Sequence, residues 1–227
     1  MTGHTTHSMF TLHDIDKFDD SCLENWDADI KHFNLIRVRF TNDGFRRLSN
    51  SLARNDTIQR IDFDSTKFTT STIRCLNLRR PNIKIIELEN CGITDKIFHI
   101  LLTDVLSLES IVELYLSNNC ITGKGIQLFI DVLPKCVHLK KIILAGNQIT
   151  YDDMCPLIKM IPQLLSIESI VYRPGWFGMH EIAKVIRISH SIKTKIVVYL
   201  LAESRHRGHH IFNIISKNLI REIFMRL

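Results

Sequence analysis

The sequence predicts an α/β solenoid, a stack of strand-and-helix units. Three observations support this fold class: a short apolar pattern recurs along the chain, its copies are spaced at nearly regular intervals, and a run with helical periodicity follows most copies. A single unit of this size cannot bury its own apolar face, so it folds only against its neighbours. The function of such a chain is therefore expected on the surface that the stack presents.

The repeated pattern has apolar residues at positions one, four and six, Asn, Cys or Asp at position nine, and an apolar residue two positions later. Four segments fit it: 35–43, 83–91, 111–119 and 139–147. Segment 58–68 fits with Thr66 in the ninth place, a weaker copy begins at Ile167, and a last strand is expected over 195–200. The copies thus begin at residues 35, 58, 83, 111, 139 and 167, and the last three steps are 28 residues each.

This pattern resembles that of the leucine-rich repeat family, L-x-x-L-x-L-x-x-N/C-x-L, over residues 35–200. The long steps, each with room for a full helix, are similar to those of the ribonuclease-inhibitor-type branch. Asp43, Thr66 and Gly175 depart from the family's ninth residue, so distortion is expected in the early and late repeats. The resemblance implies a curved parallel sheet on the concave side, helices on the convex side, and a binding surface on the concave side.

The strands and the residues that follow them are predicted from the alternation within each copy, which is typical of a strand with one buried face. At the ninth position, Asn119, Asn147 and Cys91 are expected to hydrogen-bond backbone groups where the chain turns out of the strand. Those backbone groups would otherwise have no partner.

The helices are predicted to begin after threonines. Thr94, Thr122 and Thr150 each precede a run of helical periodicity, and threonine is a favourable N-cap residue. Pro134 and Pro162 fall where the corresponding helices should end.

Both ends of the solenoid need a cover, because the terminal repeats would otherwise expose the core. We predict three regions: an N-terminal helical cap over 1–34, a solenoid of about seven repeats over 35–200, and a C-terminal capping helix over 201–227. The last segment has an apolar stripe that includes Ile211, Ile215 and Leu219, opposite a basic stripe. An amphipathic helix of this kind can also lie on a membrane surface, and that alternative stays open.

Length, apolar runs and cysteines indicate the class of protein. The 227 residues suit one solenoid, and no apolar run approaches the ~20 residues of a membrane-spanning helix. The first residues are polar, so no signal peptide is expected. The six cysteines form no C-x-x-C pair, and we expect free thiols in a reducing compartment, with disulfides as the alternative. The predicted location is the cytoplasm of the producing cell, or of a host cell if the protein is a delivered effector.

The charge is unevenly distributed. From Arg173 to the end there are ten Lys or Arg and three Asp or Glu residues, an excess of seven positive charges in a chain whose net charge is +5. The rest of the chain is therefore slightly acidic. A basic region of this kind can attract nucleic acid or acidic lipid, or it can be a solvated end of the solenoid. No aromatic interleaving or nucleic-acid-binding motif accompanies it.

The third, fifth and seventh residues of each strand segment are predicted to face away from the core. In the first copy these are Arg37, Arg39 and Thr41, which would make a basic zone. An acidic zone and then an apolar zone with aromatic and cationic edges follow. Exposed apolar residues on neighbouring strands often mark a protein-binding surface. The predicted protein-binding residues are Asp62, Asp64, Glu87, Glu89, Glu113, Tyr115, Lys141, Ile143, Val171, Arg173 and Tyr199.

Sequence motifs of catalysis are mostly missing: the chain has no G-x-S-x-G, H-E-x-x-H, P-loop or glycine-rich dinucleotide turn. His206, His209 and His210 stand close in sequence, but no further metal ligands accompany them. We therefore predict a monomeric, non-catalytic module without cofactor or metal that binds another protein through its concave face. The resemblance also implies two narrower roles, a bacterial effector that engages a host protein and a GTPase-activating regulator similar to the Ran GTPase-activating proteins.

Overall fold

The computed structural model describes residues 3–6, 9–16, 18, 29–160, 166–172, 184–189 and 195–199, with only the backbone described at 3–6, 151, 158, 184–189 and 195–199. The described strands form one ten-stranded sheet in which spatial order follows sequence order. The strands are β1 Gly3–Thr6, β2 Met9–His13, β3 His32–Ile36, β4 Arg60–Asp64, β5 Ile85–Glu87, β6 Glu113–Tyr115, β7 Lys141–Ile143, β8 Ser169–Tyr172, β9 Lys184–Ser189 and β10 Lys195–Tyr199.

Helices connect the parallel strands from β3 to β8, so the predicted α/β solenoid is confirmed. Strands β2 to β8 are paired in parallel, each with the next. The α-helices are α1 Asn42–Ala53, α2 Thr70–Ile73, α3 Asp95–Ile100, α4 Gly123–Val132 and α5 Tyr151–Met160. A π-helical turn, Leu101–Val105, continues α3, and a 3₁₀ turn, Leu133–Lys135, follows α4. This second turn contains Pro134, so α4 ends where that proline was expected to end it; Pro162 lies outside the described residues.

The predicted helix starts are confirmed by their capping contacts. Thr94 and Thr122 are the N-caps of α3 and α4, and their side chains accept hydrogen bonds from the first turn of each helix. Thr150 and Asp153 bond reciprocally: the Thr150 backbone N–H and hydroxyl donate to the Asp153 carboxylate, and the Asp153 N–H donates to the Thr150 hydroxyl. Such a capping box satisfies backbone donors that have no partner within the helix.

The ninth-position ladder is also confirmed. The Asn119 carboxamide oxygen accepts from the N–H groups of Cys91 and Ile93, at 3.0 Å each, and its amide donates to three carbonyls. Asn147 repeats this arrangement one unit later. The buried Cys91 thiol donates to the Phe63 carbonyl oxygen of the preceding repeat at 2.5 Å. These side chains therefore join consecutive repeats as well as closing their own turns.

The first repeat begins at Ile30, so the start predicted at residue 35 is wrong. Strand register pairs Phe33 with Ile61 and Leu35 with Phe63. This pairing fixes the phase of the first repeat, that is, the position that each residue holds in the repeated pattern. The error has a physical reason, because apolar positions one, four and six have the same spacing as positions six, nine and eleven. Leu35, Val38 and Phe40 fit either phase.

Two further observations fix this phase. Thr41 is the N-cap of α1, so the chain has already left the strand there. The eighth residue of each repeat also has a left-handed backbone conformation, a conformation unfavourable for most side chains. In the described part of the chain these residues are Arg37 (φ 53°), Ser65 (φ 56°), Asn90 (φ 53°), Asn118 (φ 55°) and Gly146 (φ 72°). Asp14 (φ 54°), which follows β2, has the same conformation. Arg37 thus lies in a turn, and the basic concave zone predicted for the first copy is not present there.

The N-terminal segment carries strands where a helical cap was predicted. β1 pairs antiparallel with β2, and β2 pairs in parallel with β3. The prediction is wrong for 3–6 and 9–13 because Phe10 and Leu12 alternate with partly exposed residues, which is the period of a strand. The Phe10 ring stacks on Phe33 of β3 with centroids 5.5 Å apart. Most of 17–28, including Trp26, lies outside the described residues.

The C-terminal part of the sheet changes direction. β10 is a strand as predicted, but β8, β9 and β10 are successively antiparallel, so 195–199 is not another parallel repeat. A parallel pair needs a crossover of a dozen or more residues, and only residues 190–194 separate β9 from β10. The capping helix predicted over 201–227 lies outside the described residues and stays a prediction.

Candidate functional site

The concave face consists of the strand residues that alternate with the buried ones. In β4 to β7, residues such as Ile61, Ile86, Leu114 and Ile142 are fully buried or nearly so, and their neighbours within each strand face the other side of the sheet. The phase set by Ile30 adds His32 and Asn34 of β3 to this surface, two residues that the sequence prediction missed. The correct phase of the first repeat would have placed both residues on the concave face.

The middle of the concave face is an ion-pair network that crosses three strands. Arg60 donates to both oxygens of Asp62, at 2.8 and 3.0 Å, and to Glu87 at 2.5 Å on the next strand. His32 on the preceding strand contacts Asp62 at 2.5 Å. Asp62 itself is only 6% exposed. The carboxylate of the predicted site residue Asp62 therefore holds Arg60 and His32 in position. Little of its surface is accessible to a partner.

Tyr115 lies between two cations and beside a carboxylate. Its hydroxyl donates to the Glu113 carboxylate and accepts from the Lys141 ammonium at 3.1 Å. The Lys141 nitrogen is 4.8 Å from the ring centroid, and the Arg60 guanidinium carbon is 5.9 Å away. Both distances suit cation–π attraction, which favours a fixed ring position. Glu113, Tyr115 and Lys141, three of the predicted site residues, are thus brought together.

The pKa shifts on this face reflect partial burial and the crowding of charges. Burial raises the pKa of Glu87 above its ordinary value, and repulsion by Asp62 adds to this while Arg60 opposes it. Burial and the hydrogen bond to Glu113 raise the pKa of Tyr115. Burial alone would lower the pKa of Arg60, but its hydrogen bond and attraction to Asp62 raise it instead. The carboxylates therefore outweigh the local cations at Glu87.

A polar cleft of about 580 Å³ opens where β4 to β7 end. Its lining residues are Asp64, Glu89, Asn90, Asn118, Asn119 and Gly146. Ser65 donates to Asp64 at 2.9 Å, and the Asn118 amide donates to Glu89 at 2.8 Å. Both carboxylates are half-buried and hydrogen-bonded to neutral groups. The left-handed turns at the eighth positions bring these amides beside the two acids.

An apolar row crosses the C-terminal half of the sheet. Tyr115 is in register with Ile143, and Ile143 with Val171, and each of the three is half-buried. The register then continues from Val171 to Val185 and from Val185 to Tyr199. Four predicted site residues, Tyr115, Ile143, Val171 and Tyr199, thus occupy one row of register positions. Arg173 lies outside the described residues.

The residues of the predicted basic zone are found elsewhere. Arg37 donates to the Asp14 carboxylate at 2.6 and 2.8 Å, and this hydrogen bond lowers the pKa of Asp14 to about 2. Arg39 lies 3.9 Å from Asp16 on an exposed turn. Thr41 caps α1. These three residues belong to the turns between strands and helix, away from the concave network.

Within the described part of the chain, no three His, Cys, Asp or Glu residues cluster closely enough to hold a metal ion. Cys75, Cys91, Cys120, Cys136 and Cys155 are free thiols there, while Cys22 and His206 to His210 lie outside it. Burial raises the pKa of the Cys136 thiol to about 11 and that of Cys91 further still, which makes both thiols unreactive. No helix among the described residues combines the length and apolarity needed to span a membrane.

The stacked strands, the alternating burial and the buried asparagine ladder define a repeat solenoid with an open concave face. The family model of the leucine-rich repeat matches residues 107–129, which include β6 and most of α4. The same pattern recurs in the neighbouring units, and the fold is that of a leucine-rich repeat solenoid. No curated protein matches it significantly. Leucine-rich repeat domains generally mediate protein–protein interaction and are typically non-catalytic scaffolds.

Proposed function

We propose that this protein is a non-catalytic interaction module that binds a partner protein through its concave face. The observation that carries the proposal is the continuity of the concave surface: a network of charges over β3 to β6 adjoins a row of half-buried apolar residues over β6 to β8. Protein–protein interfaces typically combine an apolar centre with oriented polar groups.

The network supports this proposal because its side chains are already held in position. Arg60 is fixed by Asp62 and Glu87, and Tyr115 is fixed by Glu113 and Lys141. A partner that contacts such side chains loses less conformational entropy on binding than one that must order them. Tyrosine and arginine are also the residue types enriched at the energetic centres of interfaces.

The test is capture of a partner from a eukaryotic lysate by the wild type and by two concave variants. One variant combines Glu87→Lys, Glu89→Lys and Glu113→Lys, and the other combines Tyr115→Ala and Tyr199→Ala. We expect both to lose the partner that the wild type captures, while their melting temperatures stay within a few degrees of the wild type. If both variants retain the partner, the concave face is not the binding site.

A matched control uses acidic residues that lie away from the concave face. Asp104 and Asp131 are exposed on the helical layer, and Glu109 is exposed in the turn before β6. Reversing these three charges to Lys changes the net charge by the same amount as the concave triple variant. We expect the control to capture the partner as the wild type does.

We further propose that the protein acts as a monomer in a cytoplasm, either that of the producing cell or that of a host into which it is delivered as an effector. The free thiols of the described residues support a reducing compartment. Size-exclusion chromatography with light scattering tests the monomer, and a translocation reporter fused to the chain tests delivery. The ribonuclease-inhibitor-type branch stays a prediction from the length of the repeats. The GTPase-activating role stays a prediction from the resemblance to that branch.

A further inference from the structure

We infer that the partner docks a linear segment across the strands, with Lys or Arg side chains over β4 and β5 and apolar side chains over β7 and β8. This inference rests on the proposed function and adds the chemistry and the direction of the bound segment. It is carried by charge complementarity at one end of the concave face and by the apolar row at the other.

The basic end of the segment is inferred from an excess of carboxylates. The concave side of β4 to β7 and the turns that follow these strands hold five predicted acidic site residues, Asp62, Asp64, Glu87, Glu89 and Glu113. The cations there are three, Arg60, Lys67 and Lys141, and the Lys67 ammonium is bound to Asn90 at the cleft. Arg60 is already shared between Asp62 and Glu87, and Lys141 contacts Tyr115. The acids are therefore only partly neutralised by the chain's own side chains.

Asp64 and Glu89 are the two acids best placed to receive a partner's cation. They line the same open cleft, and their hydrogen bonds come from neutral groups, the Ser65 hydroxyl and the Asn118 amide. In the part of the chain that the structure describes, neither makes an ion pair within 4.0 Å. A guanidinium or ammonium group entering the cleft would form charge-assisted hydrogen bonds, which are stronger than neutral ones. Burial raises the pKa of Glu87 beside them, and repulsion by the carboxylates of Asp62, Glu89 and Asp64 adds to this effect.

The apolar end is inferred from Ile143 and Val171. Both are half-buried members of the concave row, and the small Ala145 lies two residues beyond Ile143, in the turn after β7. These side chains offer neither charge nor hydrogen bonds, so burial against an apolar residue is their favourable interaction. Lys141 and Tyr115 separate this end from the acidic end, which gives the surface a direction.

Strand spacing sets the separation between the two kinds of side chain. Neighbouring strands are about 4.8 Å apart, so β4 and β7 are separated by about 14 Å across the sheet. An extended segment covers this distance with about four residues, and a helix with about ten. We therefore expect basic and apolar residues about four apart in an extended partner segment, or about three helical turns apart in a helix.

The probe is a phage-displayed library of random 12-residue peptides, selected on the full-length wild-type protein. We expect the selected peptides to have Lys or Arg toward one end, apolar residues toward the other, and few acidic residues. A second selection uses the Asp64→Lys, Glu89→Lys variant. We expect its peptides to carry Asp or Glu in place of the basic residues, with the apolar end unchanged. Basic peptides from the first selection should bind this variant at least ten-fold more weakly, and the Asp104→Lys, Asp131→Lys control as well as the wild type.

The outcomes separate this inference from the proposed function. Selected peptides that lose binding to an Ile143→Ser, Val171→Ser variant but show no charge preference would overturn the inference and support the concave face as a binding surface. Peptides that bind every concave variant unchanged would overturn both. If no peptide is selected above background, the inference of a linear segment is wrong. It is also wrong if the protein alone forms a dimer and the same concave variants do not.

Discussion

At the scale of single residues, the buried asparagines hold the repeats together by specific hydrogen bonds. Asn119 makes five of them to backbone groups of two repeats and is 5% exposed. A side chain that pairs this many buried donors and acceptors cannot be removed without leaving some of them unpaired. The polar ninth position is therefore a structural requirement of the stack.

We predict that Asn119→Ala lowers the free energy of unfolding by about 2–4 kcal/mol, because buried backbone groups lose their partners. Urea denaturation monitored by circular dichroism measures the change. Gln148→Ala, which alters an exposed amide, is the control and should stay within about 0.5 kcal/mol of the wild type. An Asn119→Ala protein as stable as the control would contradict the ladder's role.

Glu87 is predicted to make stability depend on pH. Its folded-state pKa is above the ordinary value of 4.5, so the folded protein binds this proton more tightly than the unfolded chain does. Its contribution is fully present below the ordinary pKa and is lost as pH rises through the folded-state pKa. The neutral Glu87→Gln variant should therefore melt slightly higher than the wild type at pH 7, and the difference should shrink toward pH 4. Thermal melts across this range measure it, and a difference that is constant with pH would argue against the assigned cause.

At the scale of elements, neighbouring contacts decide what a local pattern becomes. The apolar residues of segment 9–13 are compatible with either a helix or a strand. The parallel pairing with β3 selects the strand. Once paired, Phe10 and Leu12 are both buried, while Thr11 between them faces the concave side and is half-exposed.

We predict that Phe10→Ala destabilises the protein by about 3–5 kcal/mol, because it leaves a cavity against Phe33. Thr11→Ala, one residue away on the opposite face, should change stability by less than about 1 kcal/mol. Chemical denaturation of the two variants measures the difference. Equal, small effects at both positions would show that 9–13 is not a strand of the core sheet.

Consecutive helices are joined at their starts by Asp95, whose carboxylate accepts from the N–H of Thr122 at 2.8 Å and from its hydroxyl at 2.7 Å. Thr122 is the N-cap of the next helix, α4, so this contact links two repeats. We predict that Asp95→Ala costs about 1–2 kcal/mol, the usual effect of losing a helix cap. Asp104→Ala, an exposed acid in the turn that follows α3, serves as the control in the same denaturation experiment. If the two variants unfold alike, the carboxylate of Asp95 does not couple the helices.

At the scale of the whole molecule, the sheet is a stack that must be closed at both ends. The N-terminal end is closed by the antiparallel pair β1 and β2, and the C-terminal end turns into the antiparallel strands β9 and β10. A change from parallel to antiparallel pairing ends the repeating crossover, so no further helix is needed to connect these strands.

Removal of residues 204–227 is predicted to lower the melting temperature and to cause aggregation, because the apolar stripe through Ile211, Ile215 and Leu219 should cover the end of the sheet. Differential scanning fluorimetry and light scattering measure both effects. The same truncated protein tests the anionic-surface alternative, which predicts salt-sensitive binding of RNA or acidic liposomes by the full chain only. A truncated protein that stays monomeric with an unchanged melt would refute the cap.

How far the site could be predicted differs between its parts. The acidic zone, Tyr115 and the apolar row follow from the strand alternation of β4 to β8, where the phase is unambiguous. Their pairing does not follow from that alternation. It depends on contacts between adjacent strands, Arg60 with Glu87 and His32 with Asp62, at 2.5 Å each. Sequence spacing says which residues share a face, but only the packed sheet shows which of them neutralise one another.

The sequence by itself determined the repeat, the strand alternation of the central units, the threonine caps and the asparagine ladder, because each of these depends on contacts within one repeat or with the next. The tertiary structure decided the phase of the first repeat, the strands at 3–13 and the antiparallel end. The phase was ambiguous because Leu35, Val38 and Phe40 satisfy the apolar spacing in two positions five residues apart. Only one of these phases pairs Phe33 with Ile61 across the sheet and leaves Thr41 free to cap α1.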